Sequence, residues 1–318
     1  MPEEWPTNQE NKITRRDFLK RSLVGAAGVL LAGKGLMPDE LYGSEQKPEL
    51  SQNKLIKSIE EKNVELGEGF TMPELQDIVK ILDIYQQELG DLKKFNFKIS
   101  RFKFNKELFD SQNDPNNYFY NESPFKGYFG RGQTDPTTHN ILIAPGDVIN
   151  ETDEWERKNL KKPLGEEERI HDFKWVLAHE LAHALSFKLG FGYEMMKMAF
   201  KTTKYNFSKE WFGLADKIDK LPGAQLKKNK KDEWENRRPV GLPTEYCYFA
   251  TSGRSSNHER FADTVAYYIT GSKYADNDEW LKKRIDLIKK LFQEIKQDSQ
   301  DSELKIIEPP VENYKEKF

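Results

Sequence analysis

The sequence has no cysteine pair, no strong net charge and no long apolar run, and each absence excludes something. Its one cysteine, Cys247, cannot form an internal disulfide, so packing and any bound metal must stabilise the fold. A net charge of −3 gives no overall basic field for holding polyphosphate backbones, which argues against a nucleic-acid partner. The apolar segment Ser22 to Met37 is too short and too mild for a membrane span.

The composition otherwise indicates a soluble globular protein. Charged residues make up 32% of the 318 residues and apolar ones 36%, while the aromatic fraction of 12% leaves ample material for a core. A chain of this length can form one large domain or two ordinary ones.

The amino terminus resembles a twin-arginine signal peptide. Residues Thr14 to Lys20 match the pattern of a polar residue, two arginines, any residue, Phe, Leu and Lys. Ser22 to Met37 follows as the weakly apolar region of such a signal. We therefore expect residues 1–44 to engage the twin-arginine translocase and the mature chain to be periplasmic or extracellular. Contact with a membrane is expected only through an uncleaved signal, and the sequence leaves cleavage open. The alternative is an amphipathic first helix that carries Arg-Arg.

The remaining chain divides into three parts. Residues 45–69 are rich in Lys and Glu and predict a polar linker or a surface helix, with structure starting near Thr71. We assign residues 70–298 to the main domain and residues 299–318 to a polar tail. Within the domain, the mixed charges of residues 227–238 favour a solvated loop over a binding patch.

Apolar periodicity predicts both helices and strands, and hence an α+β fold. Alternating residues predict strands at Phe95 to Phe104, Gly127 to Gly132 and Asn140 to Ala144, with a turn at Gln133 to Pro136. Helical spacing with capping signals predicts helices at Thr71 to Gly90, Glu166 to Leu189, Tyr193 to Trp211, Asn257 to Thr270 and from Asn277 onward.

One of these helices carries a metal-binding motif, because residues 179 to 183 read His-Glu-Leu-Ala-His. His179 and His183 lie one turn apart on the same helix face and can offer imidazole nitrogens to one ion. Zinc favours such ligands and lowers the pKa of a bound water toward ~7, and the neighbouring Glu180 can take the proton of that water. The alternative is a surface helix with two ordinary histidines. The apolar stretch from Trp175 to Leu185 argues against it, because buried histidines and a buried glutamate need partners.

The third ligand separates the classes of zinc peptidase. A metzincin would have glycine and histidine where this chain has Ser186 and Leu189, so that class is excluded. Downstream, Glu259 and Asp263 lie four residues apart on an apolar helix.

This pair resembles the gluzincin pattern. The resemblance implies that Glu259 is the third metal ligand and that Asp263 orients a ligand histidine, His179, through its other ring nitrogen. Glu259 could instead form a capping box with Ser256, and the adjacent His258 could compete as the ligand. Glu259 is preferred because it pairs with Asp263 at the family spacing.

The same family supplies a donor that stabilises the oxyanion of the tetrahedral intermediate. Tyr248 resembles the tyrosine that precedes the second helix in several such families, although this chain has extra residues between the two. Tyr246 and His139 remain alternatives.

The resemblance covers about ninety residues, from Trp175 to Tyr268. It implies a zincin-like metallopeptidase domain with a mixed sheet, an active-site helix and a mainly helical C-terminal part. In this family, the strand at Asn140 to Ala144 would be the sheet edge that lines the substrate cleft. The expected function is Zn²⁺-dependent hydrolysis of a peptide or protein substrate, with Glu180 as general base. The alternatives are a non-catalytic periplasmic metal-binding or protein-interaction module that retains the fold, and a zinc-free structural protein.

Overall fold

The computed structural model describes residues 51–107, 110, 130–159, 172–196, 205–221, 256–271, 278–301 and 304–307, which all belong to the unit Leu50–Phe318. The predicted signal at residues 1–44 and the predicted loop at residues 227–238 lie outside these ranges. The helices in the described ranges are α1 (Gln52–Glu60), α2 (Met72–Leu89), α3 (Gly146–Asn159), α4 (Phe173–Lys188), α5 (Phe191–Met195), α6 (Phe207–Ile218), α7 (Ser256–Thr270) and α8 (Glu279–Gln300). The strands there are β1 (Glu65–Leu66), β2 (Lys98–Arg101), β3 (Gly132–Thr134) and β4 (Asn140–Ile143).

The four strands form a mixed sheet in the order β1-β2-β4-β3. The three strands β1, β2 and β4 are parallel, while β3 runs antiparallel to β4. In β4, Ile141 and Ile143 are fully buried, whereas Asn140 and Leu142, which alternate with them, are only partly buried. This alternation shows that helices cover one face of the sheet. The fold is therefore mixed α/β and predominantly helical, as the periodicity predicted in outline.

Helix α4, which carries the histidine motif, lies at the centre of the domain. It packs against α7, α2, α5, β3 and β4. Apart from Lys174, all of its side chains from Phe173 to Lys188 are buried. The prediction of a helix that is apolar nearly all round and therefore buried is confirmed.

The ends of α4 follow from local chemistry. Asp172 is the N-cap, and its side chain accepts a hydrogen bond from the Trp175 N–H at 2.9 Å. The predicted start at Glu166 is therefore wrong, and the helix begins at Phe173. Its end agrees with the prediction, since Gly190 adopts the left-handed conformation with φ of 85°.

Residues predicted as a polar linker contribute to the domain. Leu55 and Ile59 of α1 are buried, and β1 pairs with β2 through Leu66 and Ile99. The structure therefore starts well before Thr71. The sequence did not show that α1 packs into the domain, because its two buried residues stand among mostly polar side chains such as Lys and Ser.

The strand predicted from Phe95 to Phe104 is shorter than expected. Phe95 and Phe97 are buried and their rings stack at 5.6 Å, but both precede β2. The strand ends at Arg101, and the side chain of Phe104 is 53% exposed. Phe97 still joins the sheet through its main chain, because its carbonyl accepts the Glu65 N–H at 2.8 Å. The alternation of aromatic residues therefore extends beyond the strand at both ends.

The third strand and the edge of the sheet were also predicted incorrectly. Residues Gln133 and Thr134, predicted to lie in a turn, belong to β3, and the turn runs from Asp135 to His139. Among the strands of the described residues, β3 lies at the edge and packs against α4, whereas β4 pairs on both sides. The predicted edge strand at residues 140–144 is therefore an inner strand.

The C-terminal helices α7 and α8 lie where the periodicity predicted them, and Gly271 ends α7 with φ of 67°. The segment predicted to be helical from Tyr193 to Trp211 contains the end of α5 and the start of α6. The tail returns to the domain, because the Ile307 N–H donates a hydrogen bond of 2.7 Å to the Lys188 carbonyl at the end of α4. Among the described residues, no helix is both long enough and apolar enough to span a membrane.

Glu74 ties α2 to the sheet and to α3. Its carboxylate accepts hydrogen bonds from the N–H and the hydroxyl of Thr71, each at 2.7 Å, which forms the capping box of α2. It also accepts the Gly146 N–H at 2.7 Å and forms a salt bridge with Arg101. Burial alone would raise the pKa of Glu74, but Arg101 and these donors outweigh it and hold the pKa below 4.5.

Replacing Glu74 with Ala should destabilise the domain by about 1.5–3 kcal/mol, because the partly buried Arg101 loses its carboxylate and keeps only its bonds to two main-chain carbonyls. Urea denaturation at neutral pH measures this loss. The control is Glu65→Ala, which breaks the exposed pair of Glu65 and Lys98 and should cost less than about 1 kcal/mol. Since the folded-state pKa of Glu74 is lowered, its contribution is complete above pH 4.5 and declines as the pH falls below that value. Equal losses for the two variants would contradict the assignment.

Candidate metal centre

Packing of α4 against α7 brings three potential ligands together. His179 and His183 project from α4 one turn apart, and Glu259 projects from the first turn of α7. The two Nε2 atoms are 2.9 Å apart, and Glu259 Oε2 lies 3.2 Å from Nε2 of His179 and 3.3 Å from Nε2 of His183. Within the described ranges, these residues form the group whose ligand atoms can hold a metal ion.

The triangle of donor atoms has the dimensions of a tetrahedral site. With ligand bonds of about 2.0–2.2 Å, a tetrahedral ion spaces its ligand atoms about 3.3–3.6 Å apart. Two sides of the observed triangle, at 3.2 and 3.3 Å, lie at the lower end of that spacing, and the third, at 2.9 Å, is shorter. The residues therefore fit a metal ion held by two imidazoles and one carboxylate, with a fourth position left for another ligand.

The Asp263 side chain fixes the orientation of His179. Its Oδ1 atom lies 2.7 Å from Nδ1 of His179, and the residue is only 1% exposed. A carboxylate at this distance requires the proton on Nδ1, which leaves the lone pair of Nε2 directed toward the triangle. The structure thus brings together Asp263 and His179, the pair that the resemblance implied.

The two carboxylates favour positive charge at this site. Burial disfavours a charged His179, yet its bonds to Asp263 and Glu259 outweigh burial and hold its pKa well above the usual range. Burial likewise opposes charge on Glu259, but His183 and His179 hold the pKa of that carboxyl well below its usual value. The cluster therefore favours a cation between its members, either as protons on the imidazoles or as a metal ion.

A third histidine, His258, contacts His183 on the side of its ring away from the triangle. Its Nε2 atom is 3.2 Å from Nδ1 of His183 and 2.7 Å from the Ser186 hydroxyl, which also lies 2.7 Å from the His183 carbonyl. His258 thus contacts the ring nitrogen opposite the one in the triangle, and it is not a competing ligand. Burial, reinforced by His183, holds the pKa of His258 well below its usual value. Sequence reasoning missed this supporting role for His258 and Ser186.

Glu180 is buried beside the candidate ligands, and a residue of the sheet donates a hydrogen bond to its carboxylate. It is 5% exposed, and its Oε2 atom lies 2.7 Å from the Thr134 hydroxyl of β3. Burial raises the pKa of Glu180, although His179, His183 and the bond from Thr134 act in the opposite direction. Sequence reasoning missed the contact with Thr134, because that residue was predicted to lie in a turn and not in a strand beside α4.

Of the predicted oxyanion donors, His139 alone lies among the described residues. Tyr248 and its alternative Tyr246 lie outside the described residues. His139 is 2% exposed, and its Nε2 atom lies 2.7 Å from the Tyr193 hydroxyl while its ring stacks on Phe187. Burial, reinforced by Lys188, lowers the pKa of His139 to about 4. This ring is therefore a neutral part of the core near the carboxyl end of α4.

Comparisons of the chain with protein-family models, with curated proteins and with solved structures found no match.

Replacing Asp263 with Ala should weaken metal binding by about 10- to 100-fold, because His179 loses the partner that orients its ring. Competition with a chelating indicator dye measures the affinity. The control is Glu210→Gln, which alters an exposed pair with Lys290 and should leave the affinity unchanged. An Asp263→Ala variant with wild-type affinity would show that the carboxylate does not support the site.

Proposed function

We propose that this chain is a zinc metallopeptidase with a gluzincin-type site. The observation that carries the proposal is the position of Glu180, a buried carboxylate on the same helix turn as two histidines whose ring nitrogens converge with Glu259. A metal-storage site requires the three ligands but gives no role to a further acidic side chain, Glu180, held separately from them. Hydrolysis by a metal-bound water gives it one.

Zinc suits the donor set of two imidazoles and one carboxylate. A zinc ion held by His179, His183 and Glu259 would supply a water of lowered pKa and polarise the scissile carbonyl. Glu180 would accept the proton of that water and deliver it to the departing amine. Asp263 would keep His179 in the tautomer that presents Nε2.

The fold around the site supports a zincin-like assignment. The motif helix packs on a mixed sheet and against the helix that carries Glu259 and Asp263. Strand β3 is the edge beside this helix, and along the described chain it pairs only with β4. An extended peptide could add to its free side through main-chain hydrogen bonds. The proposed substrates are peptides or proteins. The enzyme would encounter them in the periplasm or outside the cell, after export by the twin-arginine route.

Zinc content is the first test of the proposal. Protein purified without chelator should contain one zinc per chain by elemental analysis, and His183→Ala, which removes a ligand, should lose it. A chelator should abolish peptidase activity, and added zinc should restore it. Wild-type protein with no bound metal would support the zinc-free structural alternative instead.

Replacing Glu180 with Gln should lower the cleavage of an unfolded protein such as casein by roughly 100-fold or more, because the amide cannot accept the proton of water. Zinc content should be unchanged, since Glu180 is not one of the three ligands. Release of peptides, followed alongside elemental analysis, measures both quantities.

Glu88→Gln is the matched control for that substitution. Glu88 accepts a hydrogen bond from the Tyr268 hydroxyl at 2.8 Å, and it belongs to α2. This variant should cleave casein at the wild-type rate. Normal cleavage by Glu180→Gln would refute the mechanism. Stoichiometric zinc without cleavage of any substrate would favour a non-catalytic metal-binding or protein-interaction module.

A further inference from the structure

Thr134 makes two contacts with Glu180 through one hydroxyl. Its Oγ1 atom lies 2.7 Å from the carboxylate oxygen Oε2 and 2.9 Å from the main-chain carbonyl of the same residue. A hydroxyl has one proton to donate, and a bond to an ionised carboxylate is the stronger of the two. The Glu180 carbonyl at 2.9 Å shows that the Thr134 side chain contacts the main chain of α4. This contact lies one residue from the candidate ligand His179.

Thr134 is itself held firmly by the sheet. It is paired with Ile141 of β4, and the next residue, Asp135, donates its N–H to the Asn140 carbonyl at 2.9 Å. The Asp135 side chain accepts hydrogen bonds from the N–H and the hydroxyl of Thr137, at 2.7 and 2.6 Å, which close the turn. The hydroxyl that meets Glu180 therefore projects from a rigid element rather than from a loose loop.

Gly132 restrains Glu180 from the same strand. Residues two apart on a strand share a face, so Gly132 and Thr134 both point toward α4, while Gln133 between them is exposed. A Cβ atom on Gly132 would lie 2.7 Å from Cγ and 2.8 Å from Oε1 of Glu180, and 2.8 Å from Val176. Such distances are shorter than carbon contacts allow. The absence of a side chain at Gly132 thus defines the space that the Glu180 side chain occupies.

We propose that Thr134 is a positioning residue for the general base and that Gly132 shapes the slot in which that base lies. The inference rests on the proposed function, in which Glu180 must meet a water held by the metal. A glutamate side chain has three rotatable bonds, and a bond at one carboxylate oxygen limits the positions of the other. Thr134 donates to Oε2 and Gly132 faces Oε1, so strand β3 limits the positions of both carboxylate oxygens.

Thr134→Val removes the hydroxyl and keeps the shape of the side chain. It should lower kcat for peptide hydrolysis by about 10- to 100-fold, the loss expected when a catalytic group is misplaced by about 1 Å. The KM and the zinc content should be unchanged, because the hydroxyl of Thr134 bonds to Glu180 and not to any of the three ligand side chains. Thr134→Ser, which retains the hydroxyl, should restore most of the activity.

The matched control is Thr152→Val. Thr152 is buried and donates its hydroxyl to the Val148 carbonyl in α3 at 2.7 Å, so this variant also loses one buried hydroxyl. It should retain the wild-type kcat. Wild-type kcat in Thr134→Val, or a parallel loss of zinc, would overturn the positioning role.

A double-mutant cycle tests the contact without reference to activity. The variants Thr134→Val, Glu180→Ala and their combination are unfolded with urea in the absence of metal. If the hydroxyl holds the carboxylate, the double variant should lose less stability than the sum of the two single losses. Additive losses would overturn the proposal even if the wild type cleaves peptides. Clear coupling in a protein that cleaves no peptide would instead refute the proposed function and support the contact.

Gly132→Ala tests the second half of the proposal. The added methyl group should displace Glu180 and lower kcat at unchanged zinc content. The control is Gly213→Ala, since Gly213 lies in α6 with no atom within 4 Å of an added Cβ, and it should retain full activity. Equal activity of the two glycine variants would show that the slot does not position Glu180.

Discussion

The packing of α4 against α7 is the constraint on which the rest of the centre depends. Each helix presents two polar groups one turn apart: His179 and His183 on α4, and Glu259 and Asp263 on α7. Only when the helices meet does Asp263 reach Nδ1 of His179 while Glu259 reaches the two Nε2 atoms. The apolar residues of α7 around these groups are fully buried, which fixes the register of the contact. The packing register of α4 against α7 therefore determines the positions of the candidate ligand atoms.

This arrangement places a line of polar side chains inside a hydrophobic core, and each of them must be paired. An unpaired buried polar group costs several kcal/mol, and an unpaired charge costs more. Within the described structure, His179 is paired with Asp263, His183 with His258, and Glu180 with Thr134. These partners come from α7 and β3 rather than from α4 itself. The same contacts therefore have two effects. They offset the cost of burying the polar side chains of α4, and they orient His179, His183 and Glu180.

The sequence predicted the parts of this structure that depend on local signals. Thr71 and Gly90 bounded α2 correctly, because capping chemistry acts within one turn. His179 and His183 could be proposed as ligands because residues four apart on a helix share a face. Glu259 followed only from the resemblance to the gluzincin pattern. By contrast, β3 has three residues, too few for a periodic pattern, and its place at the edge is set by pairing with β4. The contact of His258 with His183 likewise depends on helix packing, which a single sequence does not show.

The burial of α4 on every side limits how this segment can change in evolution. Ala178, Ala182 and Ala184 are fully buried, so a larger residue at any of them would have to displace a neighbouring element. Their methyl groups cannot ligate a metal, yet their small volume lets α4 pack closely against α7, α2 and the sheet. We expect descendants of a common ancestor to retain small residues at these three positions as strictly as the two histidines. A pattern that joins the alanines to the motif would therefore identify distant relatives better than the five-residue motif alone.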